Sequence, residues 1–247
     1  MLRSTMRGSA VLLLAMAALV AGGTTARAQF YDGPAYAWPV PDMVGPLITG
    51  QSMESYIRRG QQGKKTATPA PAATDLRLGS DLAVSREVKA AFFNQLLRDN
   101  PTERARIDAV REQDWLTGYR DEIARPNGLE EDNLADALTA YLIAAWAIVH
   151  KETTIQPAAI TAVRDRMRAG LGESPALAQS TAEDRQSIGE DLIYRTVLIM
   201  ANRTEIARTG DNTMAEAAAR HYRDAVMAGM QIDFSALDLT RRGFVAK

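Results

Sequence analysis

The chain has 247 residues, of which 46% are hydrophobic and 24% are charged, and it contains no cysteine. This composition is typical of a globular protein, because it is too apolar for a wholly disordered chain and too charged for a multi-span membrane protein. The lack of cysteine excludes disulfide bonds, thiolate metal sites and a cysteine nucleophile. Two histidines leave little room for a histidine-rich metal site or a histidine-based catalytic triad.

The first 28 residues have the three parts of a secretory signal peptide. Arg3 and Arg7 form the positive start, residues 10–21 form the apolar stretch, and the small residues Ala26 and Ala28 precede the predicted cleavage site. The apolar stretch is too short to span a bilayer. We therefore expect bacterial export to the periplasm or the extracellular space, with no stable membrane insertion after cleavage. The alternative is an uncleaved signal anchor.

Loss of this leader makes the mature chain acidic. The leader carries three of the 29 basic side chains and none of the 30 acidic ones, so acidic side chains exceed basic ones by four after cleavage. A nucleic-acid-binding protein needs a basic surface for the phosphate backbone. The composition therefore predicts that nucleic acid is not a partner.

Residues 29–80 differ in composition from the rest of the chain, with six of the ten prolines and six glycines. Such a segment buries too little apolar surface to offset its chain entropy, so we predict a mostly disordered tether. Three aromatic residues near its start lie among prolines and form a candidate partner-binding peptide: Tyr31, Tyr36 and Trp38. This peptide would dock on a partner or on the protein's own body; the alternative is a poorly ordered N-terminus.

Residues 81–247 are predicted to form one all-α domain. Capping residues, prolines and glycines divide this part of the chain into helices, and no segment shows the alternation typical of a strand. The expected helices cover residues 81–99, 101–112, 115–123, 130–151, 157–172, 181–208 and 213–230, with a short turn at 234–239. We predict a single bundle of about six helices around the helix at 130–151.

This central helix is the most hydrophobic element of the mature chain. From Ala137 to Val149 only Thr139 is distinctly polar. Thirteen helical residues rise roughly 20 Å, less than the ~30 Å of a hydrocarbon core. Because a helix that is apolar on all sides is buried by its neighbours, we place it in the centre of the bundle. His150 follows it and complements the negative end of the helix dipole.

Five ionisable residues of the last two long helices form the candidate polar cluster for chemistry or ligand binding: Arg185, Glu190, Asp191, Arg195 and His221. If they converge between helices, they could serve a hydrolase or a small-ligand binder. The alternative is that they are structural, since Asp191 and Arg195 have the spacing of an i,i+4 ion pair. The sequence contains no established catalytic motif, so we assign no catalytic, cofactor-binding or metal-binding residues and expect no cofactor.

Several residue patterns resemble a family of exported bacterial helical proteins with no assigned function. The patterns are Gly128-Leu129, residues 133–142, Trp146, Arg185-Gln186, Glu190 and residues 192–193. The resemblance implies a signal peptide, a variable linker and one helical domain. It implies no activity and no catalytic residues.

The sequence supports three functional hypotheses. The first is an exported helical protein that performs no catalysis and acts by macromolecular binding or scaffolding, with an unidentified envelope protein as its partner. The alternatives are a hydrolase or small-ligand binder with a site between bundle helices, and an immunity-type inhibitor of a secreted toxin. The oligomeric state does not follow from the sequence.

Signal cleavage is directly testable. We expect the protein from an envelope fraction to begin at Gln29, because Ala26 and Ala28 provide the small side chains that signal peptidase requires at the third and the first position before the cleavage site. Intact-mass measurement and N-terminal sequencing check this. Replacement of Ala28 by phenylalanine should cause the precursor to accumulate, whereas the same change at Ala21 should not. A full-length chain confined to the cytoplasm would contradict the prediction.

Overall fold

The computed structural model describes residues 75–247, which form eight α-helices followed by a small β-hairpin. Six of these helices have eight or more residues, and the all-α prediction is confirmed. The helices are α1 (Leu82–Asp99), α2 (Arg104–Arg111), α3 (Trp115–Tyr119), α4 (Leu134–Val149), α5 (Pro157–Gly172), α6 (Pro175–Ala178), α7 (Ala182–Thr209) and α8 (Asn212–Met230).

The bounds of the longest helix, α7, follow from its capping residues. The side chain of Thr181 accepts a hydrogen bond from the backbone of Asp184 at 3.0 Å, and the Asp184 carboxylate accepts one from the Thr181 backbone at 2.9 Å. This reciprocal pair is a capping box. Gly210 ends the helix with a φ of 65°, a left-handed conformation that glycine adopts without strain. The predicted bounds of this helix are confirmed to within one residue.

Helix α4 lies at the centre of the bundle, as predicted. All of its residues except Val149 are buried, and α5, α7 and α8 pack around it. It begins later than predicted, because the side chain of Asn133 caps it by accepting from the backbone of Ala135 at 3.0 Å. Glu130, Glu131 and Asp132 therefore precede the helix, and their placement in its first turn was wrong.

A buried ion pair joins the start of α4 to α5. The Asp136 side chain is fully buried and accepts two hydrogen bonds from Arg168, at 2.8 and 2.7 Å. It also accepts from the backbone of Glu130 at 2.7 Å. These contacts with Asp136 raise the pKa of Arg168 further, so its charge is permanent. The pair fixes the position of α5 against the central helix.

The segment between α3 and α4 has irregular helical geometry. A π-helical turn, Arg120–Ala124, follows α3 directly, and a 3₁₀ turn, Arg125–Asn127, comes after it. Gly128 then reverses the chain with a φ of 67°. The π-helical turn packs against α4.

The C-terminal residues form a β-hairpin that the sequence did not predict. Strands β1 (Leu237–Thr240) and β2 (Gly243–Ala246) pair in antiparallel fashion, with Leu237 opposite Ala246. The prediction that no segment is a strand was wrong, because each strand has only four residues and tertiary contacts hold it. Trp146 Nε1 donates to the Leu237 carbonyl at 3.0 Å, and His150 Nε2 hydrogen-bonds the Phe234 carbonyl at 2.9 Å.

The folded part of the chain includes residues 75–80, which the sequence assigned to the tether. Leu76 is buried, and its carbonyl accepts from the Leu134 backbone at 2.9 Å. The Leu78 backbone donates to the Asp132 carbonyl at 2.8 Å. The domain therefore starts before residue 81. The aromatic residues Tyr31, Tyr36 and Trp38 lie outside the described residues.

The buried ion pair predicts a stability effect. We expect Asp136→Asn to lower the free energy of unfolding by about 2–3 kcal/mol, because it removes a buried carboxylate that is bonded twice to an arginine. Urea denaturation followed by circular dichroism measures the change. The exposed Asp165 on α5 provides the matched control, and Asp165→Asn should change stability by less than about 0.5 kcal/mol. Equal effects of the two substitutions would contradict the prediction.

Candidate functional site

The structure distributes the five residues of the predicted polar cluster among separate environments. Four of them lie on α7, and His221 lies on α8. Arg185 binds the segment that precedes α1. Its guanidinium donates to the carbonyl of Arg77 at 2.9 Å and to the carbonyl of Ser180 at 2.8 Å. Arg185 thus holds residues 75–80 against the start of α7.

Glu190 belongs to a hydrogen-bond network between α1 and α7. Its Oε1 atom accepts from the hydroxyl of Ser85 at 2.7 Å and from the amide of Gln186 at 2.9 Å. The Gln186 side chain also accepts from the Asp81 backbone at 2.9 Å, at the start of α1. The buried Oε2 atom of Glu190 has no hydrogen-bond partner within residues 75–247.

Asp191 and Arg195 form the predicted i,i+4 ion pair. The Arg195 guanidinium donates twice to the Asp191 carboxylate, at 2.6 and 3.1 Å, and both side chains are mostly buried. The half-buried His221 lies close enough for Arg195 to affect it. Burial lowers the pKa of His221, Asp224 and Asp99 raise it, and Arg195 lowers it. The neutral imidazole packs edge-on against Tyr222, with ring centroids 5.0 Å apart.

A pocket of about 190 Å³ lies beside Glu190, and we call it the Glu190 pocket. Tyr119 also lines it, and the phenol oxygen of Tyr119 is buried without a hydrogen-bond partner among the described residues. Burial, together with the charge of Asp136, raises the pKa of Tyr119, so its phenol stays neutral. Three charged residues of the same pocket complete its polar lining: Arg120, Glu131 and Asp132.

A groove lies beside the C-terminal half of α7, and we call it the Arg203 groove. It consists of two adjoining depressions of about 190 and 310 Å³. Thr153, Met200 and Arg203 line both depressions and form the wall between them. The walls are largely apolar and come mainly from α4, the loop after α4 and α7, with further residues from the segment between α3 and α4, from α5 and from α8.

Arg203 is partly buried in this groove, and it forms no ion pair within residues 75–247 although Glu122 and Glu152 also line the groove. Its Nη2 atom donates to the main-chain carbonyl of Glu152 at 2.7 Å, and its Nη1 atom contacts the sulfur of Met200 at 3.4 Å. Burial lowers the pKa of Arg203, and no charge partner among the described residues offsets this effect. The guanidinium therefore has donors and a positive charge for a ligand in the groove.

Tyr119 and Arg203 are not among the site residues predicted from the sequence. Both lie among apolar residues at helical spacing. Arg203 lies four residues after Ile199 and three before Ile206, a spacing that places the three residues on one side of α7. A cation on such a face was the signal that could have identified it.

Within residues 75–247, no group of three or more histidine, aspartate or glutamate side chains is placed to hold a metal ion. In the same range, no helix combines the length and the hydrophobicity needed to cross a membrane.

Comparison with known proteins places the chain in a family. A family model described as a family of unknown function, DUF6683, matches residues 8–247. No curated protein and no solved structure matches the chain. The predicted resemblance to an uncharacterised family is thereby confirmed. Because the match extends over nearly the whole length, the chain belongs to DUF6683, a family of unknown function.

Proposed function

We propose that this protein is exported and acts without catalysis, by binding an extended acidic segment of another envelope macromolecule in the Arg203 groove. The observation that carries the proposal is the partly buried guanidinium of Arg203, whose bonds go to a carbonyl and a sulfur atom. The predicted signal peptide supports the location, because residues 1–28 have the charge and hydrophobicity of a leader.

The shape of the groove suits a segment of chain. Its two depressions adjoin along the wall that contains Arg203, so a ligand that occupies both passes over this residue. On both sides of that wall, apolar side chains of the groove can pack against apolar side chains of a ligand. In the larger depression they are Ala147, Ile148, Ile206, Ala207 and Ala215, and in the smaller one they include Ile143, Ile155 and Ile160.

The electrostatics favour a carboxylate in the ligand. A buried charge is costly until an opposite charge compensates it, and a guanidinium can donate two parallel hydrogen bonds to one carboxylate. The larger depression also contains Lys151, which is exposed and only 3.7 Å from Glu216. Lys151 and Arg203 outnumber the single acid Glu152 in the lining of this larger depression, whereas Glu122 lines the smaller one, so the larger depression is the one that favours a carboxylate. An aspartate or glutamate of the partner, or its C-terminal carboxylate, meets these requirements.

Site-specific photo-crosslinking tests this proposal. A photoreactive amino acid at the exposed Ala207, in the groove, should give a defined adduct in the native envelope, detectable by mass spectrometry. Arg203→Gln should lower the adduct yield by about tenfold or more, because a charge-assisted hydrogen bond is lost. Arg104→Gln, at an exposed arginine of α2, should leave the yield unchanged.

A second probe position controls for the groove itself. The exposed Ala169 on α5 lies outside it, and a probe there should not capture the same partner. Equal adducts from both positions, or an adduct that survives Arg203→Gln, would contradict the proposal. The identity of the crosslinked partner distinguishes the scaffold hypothesis from the immunity-type inhibitor hypothesis, since only an inhibitor of this type would be crosslinked to a toxin.

A further inference from the structure

We propose that the Glu190 pocket is a second binding site, separate from the groove, and that it binds a small organic ammonium ion. The proposal does not depend on the groove or on a macromolecular partner. It depends on two buried polar atoms that have no hydrogen-bond partners in the described chain and that belong to residues lining the same pocket: Glu190 Oε2 and the phenol oxygen of Tyr119.

Glu190 is a buried carboxylate that lacks a cation partner within residues 75–247. Only 6% of the residue is exposed, and both donors to its Oε1 atom, Ser85 and Gln186, are neutral. Neutral donors compensate a buried negative charge only in part. A positively charged donor at Oε2 would satisfy the second oxygen atom and the charge together.

The nearby arginines are engaged elsewhere. Arg185 donates to two backbone carbonyls. Arg120, which lines the pocket, is bonded to Asp121 at 2.9 Å and lies 3.5 Å from Glu131. Neither arginine forms an ion pair with Glu190, so no side chain of residues 75–247 provides the cation that matches this carboxylate.

Tyr119 provides the second contact. Its side chain is 1% exposed, and an unsatisfied buried hydroxyl is rare in a folded protein because it is costly. Since burial raises the pKa of Tyr119, the neutral phenol can accept a hydrogen bond through its oxygen. Both oxygen atoms are buried, so binding requires the Glu190 carboxylate and the Tyr119 phenol each to turn toward the ligand.

The size and charge of the pocket select the ligand class. Its volume of about 190 Å³ exceeds the ~30 Å³ share of one water molecule, so it accommodates several heavy atoms. Three acids line it against a single arginine, which disfavours an anion: Glu131, Asp132 and Glu190. A primary ammonium group has three donors and no acceptor, and its short alkyl chain can pack on Leu116 and Ile193.

Calorimetric titration of the mature chain, residues 29–247, tests the proposal with four probes at constant ionic strength. Propylammonium should bind with one-to-one stoichiometry and a Kd on the order of 1 mM, a realistic affinity for four heavy atoms. The neutral isostere 1-propanol, the anion propionate and tetramethylammonium, which lacks N–H donors, should bind at least tenfold more weakly.

Matched variants locate the binding. Glu190→Gln removes the charge and keeps the Oε1 acceptor, and it should weaken propylammonium binding at least tenfold. Tyr119→Phe keeps the packing and should also weaken it, so it serves as the second variant if Glu190→Gln fails to fold. Glu183→Gln, at an exposed glutamate of the same helix, should leave the Kd unchanged.

Three outcomes would overturn the proposal. They are no propylammonium binding, which would mean that only water occupies the pocket; equal binding of 1-propanol; and equal weakening by Glu183→Gln. The Arg203→Gln variant should bind propylammonium with an unchanged Kd. A failure of the proposed ammonium site and a failure of the proposed function of the groove are therefore distinguishable.

Discussion

The burial of α4 on every side is the constraint from which the arrangement of the other helices follows. Fifteen of its sixteen residues are buried, so the helix needs apolar neighbours around its whole circumference. Helices α5, α7 and α8 provide these neighbours, and the C-terminal hairpin packs against the part of α4 near Trp146. Because apolar burial is the dominant favourable contribution to folding, this one helix determines which face each neighbour turns inward.

Polar contacts at the two ends of α4 give this packing a unique geometry. At its start, the buried Asp136 binds Arg168 of α5. At its end, Trp146 and His150 bind carbonyls of the C-terminal residues. Apolar contacts alone allow helices to slide, whereas a hydrogen bond to a buried group is lost at a small displacement. The polar groups therefore fix the register that the apolar surfaces leave free.

The two candidate sites lie at opposite ends of the same long helix. Glu190 and Arg203 are thirteen residues apart on α7, which corresponds to roughly 20 Å along the helix axis. The π-helical turn after α3 contributes to both, with Arg120 in the Glu190 pocket and Glu122 in the Arg203 groove. This one turn thus provides a charged side chain to each of the two sites. Two other residues of the predicted cluster, Asp191 and Arg195, form an ion pair with each other.

The sequence by itself determined the all-α class, the central helix and the bounds of α7, because these depend on hydrophobic periodicity and on capping residues that are close in sequence. It also identified the Asp191–Arg195 pair, which needs only helical spacing. The hairpin, the packing of residues 75–80 and the pairing of Asp136 with Arg168 depended on contacts between distant segments. The same holds for the sites: Tyr119 and Arg203 look like members of apolar faces, and only the tertiary structure decided which polar atoms have partners.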